Sequence, residues 1–182
     1  MTKYNKYTQY KTVDIKQRDW PNNSLNKCPI WCSVDLRDGN QALAEPMDSA
    51  RKMKFFKKLI DVGYKEIEVG FPSASDTDFN FIRELINDGH IPDDVTIQVL
   101  TQSREELIIK TIDSLKGSKN AIIHLYNSTS TLQRKVVFKE DMNGVKKIAT
   151  DGAKIISDNI GILNDTKICL LYTSDAADES TC

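Results

Sequence analysis

The chain has 182 residues, 40% of them hydrophobic and 28% charged, which suits a domain with a buried core and excludes collagen, coiled-coil and low-complexity proteins. Its 25 basic and 26 acidic residues give a net charge of -1 without a long basic run, so we expect no nucleic-acid partner. No apolar stretch approaches the roughly 18 residues of a membrane span, and the amino terminus lacks a signal-peptide core. We therefore expect a soluble, cytoplasmic protein with no membrane partner.

From about residue 30 the hydrophobic pattern repeats one unit, in which a short apolar strand is followed by a turn and an amphipathic helix. Gly63 and Gly89 stand where helices typically end in a left-handed residue. In chain order, the pattern predicts strand 30–36, helix 47–62, strand 65–70, helix 76–88, strand 95–101, helix 104–115, strand 120–126 and helix 145–157.

Four consecutive strand–helix units predict a parallel sheet covered by helices, either a doubly wound sheet or part of an eight-stranded barrel. A dinucleotide-binding sheet would carry a glycine-rich turn after its first strand. Here that turn carries charged side chains, beginning with Arg37 and Asp38. We therefore predict an α/β fold that forms the first half, about four βα units, of a truncated TIM (β/α)8 barrel.

Alternate residues of each predicted strand share a face, and one face is apolar throughout. The apolar face suits the helix layer, which leaves the other face for the barrel interior. The residues predicted for the interior are Ser33, Asp35, Arg37, Glu66, Glu68, Thr96, Gln98, Leu100, Ile122 and His124. So many polar groups are costly to bury unless they pair with each other, a metal or a ligand.

The candidate site residues follow from this arrangement. Asp38 is a hard oxygen ligand for a divalent cation, and Arg37 offers fixed donors to a keto oxygen or carboxylate. The same pair could instead be an ion pair that closes the barrel end. His124 is either a polar contact of the site or a hydrogen-bonded core histidine, and Glu68 is either a structural carboxylate or a direct substrate contact.

Three ordered motifs carry a resemblance to a known family, within a matching region of about residues 14–159. They are Leu36-Arg37-Asp38-Gly39-Asn40-Gln41 followed, after ten intervening residues, by Lys52, then Glu68 to Ser75, and His124 to Ser130. Together they resemble the 2-isopropylmalate and homocitrate synthase family. The run from Trp31 to Asp35 is similar to its isopropylmalate-forming branch.

The resemblance implies a Claisen-type condensation of acetyl-CoA with 2-oxoisovalerate to 2-isopropylmalate, on the way to leucine, with Mg²⁺ or Mn²⁺ as cofactor. It implies that Asp38 binds the metal and that Arg37 stabilises the alkoxide formed at the keto oxygen. His124 would contact the keto acid, Leu100 would touch its branched side chain, and Gln41 would orient the loop. The full-length protein is expected to be a homodimer.

The chain also departs from that family, because the His-x-His metal ligands, the later strands and the leucine-binding domain are missing. We therefore expect an inactive fragment. Two alternatives stay open: a homocitrate or citramalate synthase of the same superfamily, and a non-catalytic α/β fragment that binds a keto acid.

The last residues suggest a reason for the missing parts. From Cys169 to Glu179 the sequence matches, codon for codon, the translation of a common transposase sequencing adapter, and it has no evident strand or helix pattern. We expect residues 1–29 to be an amino-terminal extension, residues 30–168 to be the first half of the catalytic barrel and residues 169–182 to be a non-native tail.

Overall fold

The computed structural model describes residues 27–163 and 166–174. The described residues from Trp31 onward form one compact unit. Most of the expected extension at 1–29 lies outside the described residues, as does the end of the expected tail.

The described residues contain one parallel sheet of five strands, in the order β1-β2-β3-β4-β5. The strands are β1 (Cys32–Ser33), β2 (Glu66–Gly70), β3 (Thr96–Gln102), β4 (Asn120–Tyr126) and β5 (Lys167–Thr173). In a doubly wound sheet the order in which strands are added reverses at one point, so that a later strand joins the opposite edge. In a TIM barrel each new strand is added beside the previous one. The sequential order therefore confirms the predicted part of a barrel.

The long helices of the described residues lie close to the predicted segments. They are α1 (Ser49–Val62), α2 (Asp76–Asn87), α3 (Glu105–Ser114) and α5 (Met142–Asn159), and a three-residue α4 (Thr131–Gln133) precedes a π-helical turn at Arg134–Phe138. Asp48 caps α1 by accepting the Arg51 amide at 2.8 Å, and Gly63 ends it at φ 108°. None of these helices is long and apolar enough to cross a membrane.

The main core lies between the sheet and the helices. Ile67, Ile97 and Ile123 point to this layer and are fully buried, as are Phe56 of α1 and Phe81 of α2. The predicted division of strand faces is thus confirmed for β2, β3 and β4. The opposite face of these strands carries Glu68, Gln98, Leu100, Ile122 and His124, all of which are buried as well.

The prediction of a first strand over residues 30–36 was wrong. Only Cys32 and Ser33 pair with β2, and the backbone then forms a π-helical turn at Asp35–Gly39. The Val34 carbonyl accepts from the amides three, four and five residues later, at 3.2, 2.8 and 3.4 Å. Strand alternation does not apply in this turn, so Asp35 is exposed and does not share a face with Arg37.

The prediction that no strand follows residue 168 was also wrong. Residues 167–173 form β5, which pairs with β4 in seven-residue register from Asn120↔Lys167 to Tyr126↔Thr173. The short run Cys169-Leu170-Leu171-Tyr172 is apolar enough to extend the sheet. Its side chains remain largely exposed, with Leu170 at 40% and Tyr172 at 44%.

Candidate active site

The π-helical turn after β1 places Arg37 at the carboxyl end of the sheet. Arg37 donates from Nε to the Glu68 carboxylate and from a terminal nitrogen to Asp38 Oδ1, the latter at 2.8 Å. The Arg37 side chain is 15% exposed and that of Asp38 is 61% exposed. Arg37 therefore bridges a buried carboxylate and one that faces solvent.

Glu68, at the centre of β2, is the acceptor around which the site is built. Its side chain is completely buried, and it accepts from Arg37, from the Gln98 amide and from His124 Nδ1, the last at 2.7 Å. These three donors come from the turn after β1, from β3 and from β4. The structure thus brings Arg37, Glu68 and His124 together in one network.

The hydrogen bonds to Glu68 also determine its ionisation. Burial favours the neutral acid, but donors from His124, Gln98 and Arg37 together with the Arg37 charge outweigh it, and the pKa of Glu68 falls below its usual value of 4.5. Glu68 is therefore a carboxylate at neutral pH. It balances the guanidinium of Arg37 inside the sheet.

The ionised Glu68 in turn orients His124. A carboxylate only accepts hydrogen bonds, so Nδ1 of His124 carries the proton and donates to it. The other ring nitrogen, Nε2, lies 2.7 Å from Thr173 Oγ1 on β5 and accepts from that hydroxyl when the imidazole is neutral. His124 is thus held by a hydrogen bond at each nitrogen, with its side chain 10% exposed.

Leu100 and Gln41 are the other two predicted site residues. Leu100 pairs in register with His124 across β3 and β4, and it is buried on the same interior face. The Gln41 side chain is exposed and forms no hydrogen bond with the residues that the structure describes. Its buried neighbour Asn40 contributes to holding this loop, because Asn40 Oδ1 accepts the Met47 amide at 2.7 Å.

Gln98, Asn40 and Thr173 carried no role in the sequence-based prediction. The strand pattern puts Gln98 on the interior face, between Glu68 and His124 of the neighbouring strands. That position could have indicated its hydrogen bond to Glu68. Asn40 lies within the Arg37 motif, but only the folded loop shows that its side chain reaches Met47.

The donor chemistry for a divalent metal is present only in part. Asp38 supplies one exposed carboxylate, the oxygen ligand that Mg²⁺ and Mn²⁺ prefer. Residues 27–163 and 166–174 contain no group of three histidine, cysteine or acidic side chains that could hold an ion. Asp38 therefore fits as one ligand, and a bound ion would need further ligands from elsewhere.

The half-barrel fold and its arginine–carboxylate network agree with one known protein family. The model of the HMGL-like family matches residues 28–174, which is most of the chain. The chain belongs to the HMGL-like family, and the resemblance inferred from the three motifs is confirmed.

Curated relatives narrow this class further. The chain is similar to the 2-isopropylmalate synthase of Clostridium acetobutylicum, with 60% identity over 153 residues, 84% of this chain and 27% of the relative. The same named enzyme of Renibacterium salmoninarum is 58% identical over 164 residues, 90% of this chain and 28% of the relative. That of Pseudarthrobacter chlorophenolicus is 56% identical over 176 residues, 95% of this chain and 30% of the relative. The chain thus spans less than a third of each.

Proposed function

We propose that this chain carries the keto-acid half of a 2-isopropylmalate synthase active site. The complete enzyme would condense acetyl-CoA with 2-oxoisovalerate to give 2-isopropylmalate and CoA. The observation that carries the proposal is the Arg37–Glu68–His124 network, which links the interior face of the sheet to Arg37 at the carboxyl end, where TIM barrels bind substrates. The names of the relatives support the choice of reaction.

Arg37 would stabilise the charge that develops at the keto oxygen. Its Nε is held by Glu68, so the guanidinium plane is fixed before substrate binds. A fixed cationic donor lowers the barrier because negative charge grows on that oxygen as the acetyl enolate attacks. Asp38 would be one ligand of a bound Mg²⁺ or Mn²⁺, which would polarise the keto acid when present.

Leu100 and His124 would form the wall against the keto-acid side chain. Leu100 offers an apolar surface that suits an isopropyl group, and the neighbouring His124 supplies one polar edge. Homocitrate synthesis remains the alternative within the superfamily, but its keto acid carries a second carboxylate. Such a carboxylate is costly to bury against leucine without a partner.

A hybrid enzyme tests this proposal. Residues 28–168 of this chain would replace the aligned segment of the Clostridium acetobutylicum relative, and CoA release from acetyl-CoA would be measured with 2-oxoisovalerate and Mg²⁺. We expect the hybrid to be active. Its activity should fall at least about a hundredfold in Arg37→Gln, because the variant loses one donor that stabilises the developing charge. The exposed Arg51→Gln of α1 is the matched control and should keep full activity. An inactive hybrid, or one indifferent to Arg37→Gln, would refute the proposal.

Three further parts of the proposal concern the complete protein. We propose that it is a cytoplasmic homodimer, which cell fractionation and light scattering would test. We also propose that native sequence ends near Ile168 and that the tail is adapter-derived. Genomic reads that cross Ile168 with this tail intact would refute the last point.

A further inference from the structure

Lys52 of α1 is a fully buried lysine that the network around Glu68 does not use. Its side chain is 0% exposed, and its ammonium group forms an ion pair with Asp78 of α2. The same Nζ donates to the Val69 carbonyl at 3.3 Å and lies 5.5 Å from the centre of the Phe81 ring. A lysine is buried to this extent only when its charge is paired, so the pair needs a structural or functional reason.

Asp78 connects this lysine to the end of β2. One carboxylate oxygen binds Lys52, and the other accepts the Phe71 amide at 2.8 Å. A Cβ on Gly70 would lie 2.8 Å from both Cγ and Oδ2 of Asp78. Only glycine at this position lets the backbone approach the carboxylate so closely.

The backbone held by this pair is a β-bulge. Glu68 pairs with Gln98, but the next pairing joins Gly70 to Val99, so Val69 is an extra residue in β2. A bulge leaves its extra residue outside the regular ladder and turns the neighbouring side chains, often next to active sites. Lys52 contacts the carbonyl of the extra residue Val69, and Asp78 binds the amide of Phe71, which directly follows β2.

We infer that Lys52 and Asp78 are positioning residues, which hold the bulge of β2 so that the adjacent Glu68 carboxylate meets Arg37, Gln98 and His124. Neither side chain contacts the three donors of the network in the structure. Their effect on the reaction would pass through the backbone from Val69 to Glu68. This inference rests on the proposed function for its kinetic readout only.

Two single variants and their combination separate positioning from stability. Lys52→Met keeps the length of the side chain and removes its charge, and Asp78→Asn keeps an acceptor for Phe71. Each single variant leaves a buried charge unpaired and should lower the melting temperature. The double variant leaves none, so it should regain most of the melting temperature. Lys110→Met removes one partner of an exposed pair with Asp76 and is the matched control.

The hybrid enzyme gives the kinetic readout. If the pair positions Glu68, the double variant keeps a kcat roughly ten- to a hundredfold below that of the parent hybrid, because small displacements at a reacting centre are costly. The KM for acetyl-CoA should stay unchanged, because the proposed function does not assign Lys52 or Asp78 to acetyl-CoA binding. Recovery of kcat together with the melting temperature would overturn the inference and leave a purely structural pair.

A second readout on the 182-residue chain does not depend on activity. The Nε–H signal of Arg37 in a ¹⁵N spectrum, assigned with Arg37→Lys, reports its hydrogen bond to Glu68. We expect this signal to shift and exchange faster with solvent in the folded double variant, and to stay unchanged in Lys110→Met. An unchanged signal in the double variant would overturn the inference. An inactive parent hybrid with this shift present would instead refute only the proposed function.

Discussion

At the scale of single residues, Glu68 links the stability of the chain to pH. Its pKa is lower in the folded chain than in the unfolded one, because His124, Gln98 and Arg37 donate to the carboxylate despite its burial. Its contribution to stability is therefore complete above pH 4.5 and is lost as pH falls from there through the folded-state pKa. Urea unfolding at pH 7 and pH 4 should show this loss.

Glu68→Gln separates that contribution from the other carboxylates. The variant leaves Arg37 without its buried counter-charge, so we expect a loss on the order of 3 kcal/mol at pH 7. The loss between pH 7 and pH 4 should be smaller in the variant than in the parent. Equal pH dependence of the two proteins would show that Glu68 is not an ionised acceptor.

Cys32 gives a second prediction at this scale. Burial, followed by the negative charges of Glu68 and Glu66, raises the pKa of the Cys32 thiol to about 11. At pH 8 only about one thiol in a thousand would be ionised, and the thiolate is the reactive form. Maleimide labelling followed by mass spectrometry should therefore modify the exposed Cys28 and Cys169 before Cys32. Labelling of Cys32 at the same rate would contradict the half-buried position of its thiol.

At the scale of secondary-structure elements, α5 packs so closely on the end of β3 that it needs a glycine at the contact. A Cβ on Gly152 would lie 2.0 Å from Ser103 Oγ, which donates to the Ile148 carbonyl of the same helix at 2.5 Å. Gly152→Ala should therefore destabilise the chain by about 1–3 kcal/mol in urea unfolding.

Gly161→Ala is the matched control for that prediction. Gly161 lies in a short 3-10 turn just after α5, and a Cβ there would meet no atom within 4 Å. Its substitution should leave stability within about 0.5 kcal/mol. A Gly152→Ala variant as stable as this control would show that α5 is not seated as described.

The same scale shows what the amino-acid pattern could predict. The strand over 120–126 is correct to the residue, because an apolar run with alternating faces has few other ways to bury itself. The same alternation placed Glu68 and His124 on one face. The run 30–36 looked equally strand-like, yet it ends at Ser33 because the Val34 carbonyl is satisfied within its own turn. The burial of Lys52 depends on its ion pair with Asp78 of α2, 26 residues later in the chain, which no local pattern reports.

At the scale of the whole molecule, β5 leaves a strand edge that no strand among the described residues covers. Leu170, Leu171 and Tyr172 are each about 40% exposed along it. Unpaired apolar edges template association with other chains. We expect the 182-residue chain to associate with itself as its concentration rises, measured by light scattering after gel filtration. Leu170→Lys should reduce this association, and a parent chain that stays monomeric at all concentrations would contradict it.

The proposed activity also belongs to this scale, because the chain spans less than a third of its relatives. One carboxylate, Asp38, is too few ligands to hold a catalytic ion tightly. We therefore expect the 182-residue chain alone to release no CoA from acetyl-CoA with 2-oxoisovalerate and Mg²⁺. Turnover by the purified chain, absent in Arg37→Gln, would show that the half site is sufficient.

The product made by the hybrid enzyme tests the central claim most directly. The hybrid would receive labelled acetyl-CoA with equal amounts of 2-oxoisovalerate, 2-oxoglutarate and pyruvate, and mass spectrometry would identify the product. We predict mainly 2-isopropylmalate, with the preference for the branched keto acid falling roughly tenfold in Leu100→Ala, as expected for losing apolar contact in a specificity pocket. Mainly homocitrate or citramalate, or a preference unaffected by Leu100→Ala, would contradict the account.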